Sequence, residues 1–98
     1  MDTTLRDARK QAELLALQAL GWIAGDDAVF QAFQDATGAD AALIRDSAGD
    51  PGFLGGVLDF LMQDDARVTG FCDAQGLAYD APMQARAALP GGGDPHWT

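Results

Sequence analysis

The sequence has little of what a disulfide scaffold, a thiolate metal site or a β-sheet requires. Its one cysteine, Cys72, excludes an internal disulfide and a zinc site built from several thiolates. Valine and isoleucine together occur only five times in 98 residues, and alanine and leucine supply most of the apolar content. Because alanine and leucine favour helices while β-branched residues favour strands, this composition predicts an all-α protein.

Cations are also scarce. Six lysines and arginines stand against 15 aspartates and glutamates, which gives a formal net charge of −9. Arg6, Arg9 and Lys10 lie with two acids in the first ten residues, so that segment is +1 and the rest of the chain is −10. Because phosphate binding needs clustered cations, this balance argues against nucleic acids and anionic membranes and suits a basic protein partner.

No apolar run is long enough to cross a bilayer. The most apolar stretch, residues 51–62, has twelve residues, whereas a membrane-spanning helix needs about 20. Residues 14–24 follow basic residues as the core of a signal peptide would, but Glu13 and Gln18 make this run amphipathic. We therefore expect a cytoplasmic protein.

The apolar stretch 51–62 is predicted to be a central helix around which one compact domain is organised. Asp50 can cap this helix, and Pro51 suits its first position, where no amide hydrogen is needed. Apolar side chains cover most of the helix surface, and a narrow stripe holds Gly52, Gly55, Gly56, Asp59 and Gln63. Glycine inside a helix costs up to about 1 kcal/mol against alanine, so the stripe predicts a close approach by the first helix, the C-terminal tail or a second protein. The alternative is a stripe that faces solvent.

Aspartates and glycines divide the chain into a bundle of about six short helices. The first is predicted over residues 4–24, with an apolar stripe formed by Leu5, Ala8, Ala12, Leu15, Ala19 and Trp22 and widened by Leu14, Leu17 and Leu20. The predicted caps of the other helices are Asp26 or Asp27, Asp40, Asp50, Asp64 and Asp80, and the predicted terminators are Gly38, Gly49, Gly76 and Pro90. The predicted inner faces of the second and fifth helices include Phe33, Phe71 and Cys72. The third helix holds Leu43 and Ile44, and the sixth carries Met83 and Leu89.

Residues 20–38 match residues 58–76 without a gap when the sequence is shifted by 38. Eight of the nineteen positions are identical, among them Phe33 with Phe71 and Gly38 with Gly76. One interpretation is a duplicated three-helix unit with approximate two-fold symmetry. The other is that any two capped amphipathic helices share these residue types.

Residues 91–98 form a glycine-rich tail after the helical domain of residues 1–90. Tryptophan left in water exposes a large apolar surface, so we expect the tail to pack back on the domain, against the glycine stripe of the central helix. The alternatives are a docking motif for a partner and a disordered tail. The candidate interaction or packing surface therefore comprises Gly52, Gly55, Gly56, Asp59, Pro95, His96 and Trp97.

Two runs of residues are the most distinctive in the chain: Leu89-Pro90-Gly91-Gly92-Gly93-Asp94-Pro95-His96-Trp97 first, then Asp50-Pro51-Gly52-Phe53-Leu54. Over nearly its whole length the chain resembles a family of small uncharacterised bacterial proteins, mostly alphaproteobacterial, defined only as a domain of unknown function. The resemblance implies a compact cytoplasmic helical protein. It transfers no catalytic or binding residue, because the family has no established activity.

Residues suited to catalysis do not come together in the sequence. The aspartate pairs at 26–27 and 64–65 could bind a cation, but neither belongs to a glycine-centred calcium loop, and helix capping explains both. Cys72 lies on an apolar helical face and His96 in the tail. We therefore expect a buried, inert thiol and not a thiol–imidazole pair.

The function expected from these features is a non-enzymatic protein-interaction or accessory module that uses no metal and no cofactor. Its partner is expected to be a protein, basic by charge complementarity, and the chain itself a monomer or homodimer. The alternative is a small-ligand-binding or enzymatic protein with a helical pocket, although no convergent polar groups mark such a pocket.

Overall fold

The computed structural model of the protein describes residues 3–90, with side chains from residue 6 onward. Within that range it has six helices and no strand, which confirms the all-α prediction. The helices are α1 Thr3–Ala24, α2 Asp27–Thr37, α3 Ala41–Ser47, α4 Pro51–Met62, α5 Asp65–Gln75 and α6 Ala81–Ala87. The longest helix, α1, packs against α2, α4 and α6.

Aspartate side chains begin four of the helices, as predicted. Carboxylate oxygens of Asp26, Asp40, Asp50 and Asp64 accept hydrogen bonds from backbone amides in the first turns of α2, α3, α4 and α5, at 3.0, 2.8, 3.1 and 2.9 Å. Each bond satisfies an amide that the start of a helix otherwise leaves unpaired. At α2 the cap is Asp26, and Asp27 is the first helical residue.

Two of the predicted glycine terminators are confirmed and one is wrong. Gly38 and Gly76 have φ angles of 73° and 70°, the left-handed conformation that closes α2 and α5. Gly49 does not terminate α3, which ends at Ser47 with Ala48 still in the right-handed conformation. Leu43 of α3 is 50% exposed because the short helix buries only its Ile44 side.

The last helix, α6, differs from its prediction at both ends. Asp80 is not a side-chain cap: its backbone is right-handed, and its carboxylate accepts a hydrogen bond from the Gln84 side chain at 2.8 Å. The helix ends at Ala87, before Pro90, because the next two amides bond to carbonyls three residues back and tighten the turn. Met83 of α6 is 59% exposed.

The central position predicted for α4 is confirmed. Its buried residues are Leu54, Gly55, Val57, Leu58, Phe60 and Leu61, and the helix packs against α1, α5 and α6. In the described part of the molecule no polar or charged residue is buried. Burying one large apolar side chain stabilises a fold by about 1.5–3 kcal/mol, so α4 makes the largest single contribution to this core.

The buried face of α1 is rotated from the predicted one. Its buried residues are Ala12, Ala16, Ala19, Leu20 and Ile23. Leu14 and Leu17 are 49% and 39% exposed, so the prediction that they widen the inner face is wrong. Small alanine side chains let the α1 backbone approach α4 and α6, and the two leucines lie on the opposite side of the helix.

The two halves of the predicted repeat share local structure. Both α2 and α5 have eleven residues, follow a capping aspartate and end at a left-handed glycine. Trp22 packs edge-on against Phe71, with ring centroids 6.1 Å apart. Phe60, which the 38-residue shift matches to Trp22, packs edge-on against Phe33 at 5.2 Å. Exchanging the halves therefore maps one aromatic pair onto the other, while duplication itself stays a prediction.

Candidate interaction surfaces

The glycine stripe of α4 is partly covered by a side chain from α6. Gly55 is buried, and a β-carbon built on it would lie 2.7 Å from Nη1 and 2.9 Å from Cζ of Arg86. Such distances are too short for any real side chain, so the absence of a β-carbon lets the guanidinium lie on the helix backbone. The close approach at Gly55 is thus made by Arg86 of α6, and not by α1, the tail or a second protein as predicted.

Three hydrogen bonds hold Arg86 in this position. Its Nε and Nη2 donate to the two carboxylate oxygens of Asp59 at 2.7 and 3.2 Å, and Nη1 donates to the carbonyl oxygen of Pro90 at 3.0 Å. The Arg86 side chain is 16% exposed and that of Asp59 is 53% exposed. A bidentate arginine–carboxylate pair fixes orientation as well as distance, so Arg86 ties α6 and the turn at Pro90 to α4.

The other members of the predicted surface have different surroundings. A β-carbon built on Gly56 would meet no atom within 4 Å, and one on Gly52 would meet only the Asp50 carboxylate, at 3.6 Å. Both positions are therefore open to small side chains. Three further members, Pro95, His96 and Trp97, lie outside the described residues.

A groove of about 350 Å³ lies between the first turns of α2 and α5, and we call it the α2/α5 groove. It is lined by Trp22, Ala28, Val29, Ala32, Asp64, Ala66 and Arg67. Most of this lining is apolar, and its largest member is the half-buried indole of Trp22 at the end of α1. The groove is therefore an open apolar surface with one large aromatic side chain.

The indole of Trp22 is held in place by α5. A β-carbon built on Gly70 would lie 3.1 Å from Cζ2 of Trp22, a tighter contact than most side chains make. The ring also packs edge-on against Phe71. Because Gly70 lies inside a helix, the sequence alone could have indicated close packing at this position.

The borders of the α2/α5 groove are acidic. The aspartate pairs Asp26-Asp27 and Asp64-Asp65 stand at the start of its two walls, and Asp64 is itself a lining residue; we call the two pairs the acidic rim. The only cation among the lining residues, Arg67, is turned toward the core side of the groove. Its guanidinium carbon lies 4.0 Å from the centroid of the Phe60 ring, and Nη1 donates to the Phe60 carbonyl oxygen at 3.1 Å.

A second groove, of about 290 Å³, lies between α1 and α6, and we call it the α1/α6 groove. Its lining residues are Ala8, Gln11, Ala12, Leu15, Ala81, Gln84, Ala85 and Ala88. None of these side chains is charged, and six of the eight are apolar. It is therefore an alanine-lined surface suited to a flat apolar group.

Cys72 is buried, as predicted. Burial raises the pKa of its thiol, and the carboxylates of Asp73 and Asp80 raise it further, so the thiol stays protonated near neutral pH. Within residues 3–90 no three histidine, cysteine, aspartate or glutamate side chains are grouped as metal ligands, and none of the six helices is long and apolar enough to cross a membrane. His96, the other half of the conceivable thiol–imidazole pair, lies outside the described residues.

These features define a class: a small all-α domain with open apolar grooves on its surface. The chain belongs to a family of proteins of unknown function, DUF3572, whose model matches residues 9–92. The expected membership of a family of unknown function is thus confirmed, while most of the C-terminal run lies beyond the matched residues. No curated protein and no solved structure matches the chain.

Proposed function

We propose that the protein is a non-enzymatic interaction module that binds a basic amphipathic segment of another protein in the α2/α5 groove. One observation carries this proposal: the half-buried indole of Trp22 lies in an apolar groove whose two walls begin at aspartate pairs. An apolar surface next to like charges favours a ligand with apolar side chains flanked by lysine or arginine.

The apolar part of the groove would supply most of the binding energy. Trp22 presents a large, rigid surface, and tryptophan is the kind of residue that dominates the energy of protein interfaces. Contacts with Gly70 and Phe71 already hold the indole ring in place. Binding a partner would therefore order few new groups and lose little conformational entropy. The small side chains of Ala28, Ala32 and Ala66 leave room for the side chains of a partner.

The acidic rim would select the partner. The four carboxylates of the acidic rim belong to a chain whose formal charge is −9, so an acidic segment would be repelled and a basic one attracted. Asp26 and Asp64 already use an oxygen for capping. Asp27 and Asp65 are therefore the residues whose replacement tests charge with least damage to the helices.

The alternative, a small-ligand or enzymatic site, receives less support from the same groove. Such sites are enclosed and bring several polar groups to one point. Here the polar lining consists of Asp64 and Arg67, and both already bond to their own backbone surroundings. The geometry therefore supports protein binding better than catalysis.

Photo-crosslinking in the native host tests the proposal. A photoreactive residue replaces exposed Ala66 in the groove and, as the control, exposed Ala42 on α3, which lines neither groove. We expect an adduct from position 66 only, with the crosslink mapping to a segment rich in lysine or arginine and apolar residues.

Charge removal completes the test. The pair Asp27→Asn and Asp65→Asn should reduce the yield of the position-66 adduct several-fold while the thermal unfolding midpoint changes little. An absent adduct, an acidic crosslinked segment, or a yield indifferent to these carboxylates would each contradict the proposal.

A further inference from the structure

The α1/α6 groove differs from the α2/α5 groove in lying beside the point where the described chain ends. Ala88, one of its lining residues, is two residues before Pro90. The Pro90 carbonyl oxygen is fixed by the hydrogen bond from Arg86, which in turn is paired with Asp59 of α4. The residues after Pro90 therefore start from a fixed position next to an alanine-lined surface.

The distance from Pro90 to Trp97 suits this groove. Trp97 is the seventh residue after Pro90, and an extended chain spans at most about 3.6 Å per residue, or about 25 Å. The seven-residue helix α6, which forms one wall, rises by only about 10 Å. Every part of the groove is thus within reach of the Trp97 side chain.

Size and polarity suit the same occupant. A groove of about 290 Å³ is at the small end of ligand sites, and its lining is alanine, leucine and two glutamines, which can bond an indole N–H.

We propose that Trp97 binds in the α1/α6 groove of its own chain. The glycine stripe of α4 is a poorer site than the sequence suggested, because Arg86 already occupies Gly55. Attachment through a short segment gives the indole an effective concentration in about the millimolar range, so a modest apolar contact suffices to hold it. This inference concerns a different groove from the proposed function and does not depend on it.

Tryptophan fluorescence tests the proposal on the full-length chain. Trp22→Phe leaves Trp97 as the only tryptophan. We expect its emission to be blue-shifted from that of tryptophan in water, protected several-fold from a soluble quencher, and independent of protein concentration. Ala8→Phe, an exposed position lining the groove, should fill the site and return the emission to that of water, whereas Ala42→Phe on α3 should not.

A second measurement covers the case in which Ala8→Phe disturbs α1. Deleting residues 91–98 should lower the unfolding midpoint of Trp22→Phe by several degrees and leave that of Trp22→Phe/Ala8→Phe unchanged. Water-like emission of Trp97 in Trp22→Phe, emission indifferent to Ala8→Phe, or an equal effect of the deletion in both chains would overturn the proposal. Protection that is lost on dilution would also overturn it, because the occupant would then come from a second copy.

Discussion

The guanidinium of Arg86 lies on the backbone of Gly55, and a β-carbon at that position would be 2.7 Å from Nη1. Glycine in the middle of α4 is unfavourable for the isolated helix, and here it admits the arginine to Asp59 and to the Pro90 carbonyl. The contact joins residues far apart in sequence and orients α6 against the central helix. The free energy that this contact contributes to folding can be measured separately from the helix propensity of the residue at position 55.

We expect Gly55→Ala to have opposite effects in two backgrounds. In the natural sequence the new β-carbon displaces Arg86, and losing its charge-assisted hydrogen bonds should outweigh the gain in helix propensity, for a net loss of about 1 kcal/mol. With Arg86→Ala already present, the same change should raise the unfolding free energy by about 1 kcal/mol. Urea denaturation of the four proteins measures both values.

Gly56→Ala is the matched control for that cycle. A β-carbon at Gly56 meets no atom within 4 Å, so the substitution should stabilise the protein by up to about 1 kcal/mol whether or not Arg86 is present. If Gly55→Ala behaves like Gly56→Ala in the natural sequence, the Arg86 contact does not constrain position 55.

Two of the three edge-on aromatic pairs, Trp22 with Phe71 and Phe60 with Phe33, should couple separately. A double-mutant cycle with leucine substitutions should give a coupling free energy of about 0.5–1.5 kcal/mol for Trp22 with Phe71, and a similar value for Phe60 with Phe33. The mixed pair, Trp22 with Phe33, should couple by less than about 0.5 kcal/mol. Strong coupling in one pair and none in the other would count against the approximate two-fold exchange of the halves.

The buried thiol should make stability fall at alkaline pH. Burial, then Asp73 and Asp80, raise the pKa of Cys72 above its ordinary 9.0, so the folded state holds the proton more tightly than the unfolded state. This contribution to stability is complete below the pKa of the unfolded thiol and is lost as pH rises toward the pKa of the folded one. The unfolding free energy should therefore decrease from about pH 9 upward.

The contribution of the Cys72 thiol to the alkaline decline in stability can be measured separately in the Tyr79→Phe variant. The hydroxyl of Tyr79 donates to Asp73 at 2.7 Å, and that bond raises the pKa of Tyr79, so Tyr79→Phe removes a second alkaline titration. In that background Cys72→Ala should flatten the alkaline decline. A thiol reagent should label Cys72 only after denaturation, and rapid labelling of the native protein would show that the side chain is accessible.

Local chemistry accounts for the features that the sequence predicted well. An aspartate cap or a left-handed glycine acts within three or four residues, so Asp26, Asp64, Gly38 and Gly76 could be assigned without knowing the fold. The apolar composition of α4 likewise requires burial over most of its circumference. These signals do not depend on which helices become neighbours.

The features that the sequence missed depend on contacts between helices. Periodicity could not decide whether α1 presents leucines or alanines to its neighbours, because that choice depends on how closely α4 and α6 approach. Arg86 lies 27 residues from Asp59, and no local pattern links them. The α2/α5 groove likewise arises only when the ends of α1, α2 and α5 meet, although Gly70 marked a close contact there.

The central claim, that the α2/α5 groove binds basic amphipathic segments, is tested most directly by the emission of Trp22. Trp97→Phe leaves Trp22 as the only tryptophan, and the probe is a short helical peptide with leucines on one face flanked by lysines. We predict a saturable blue shift of Trp22 and protection from a soluble quencher, both reduced by Asp27→Asn with Asp65→Asn. An unchanged emission, or an equal response to the same peptide with glutamates in place of its lysines, would contradict the account.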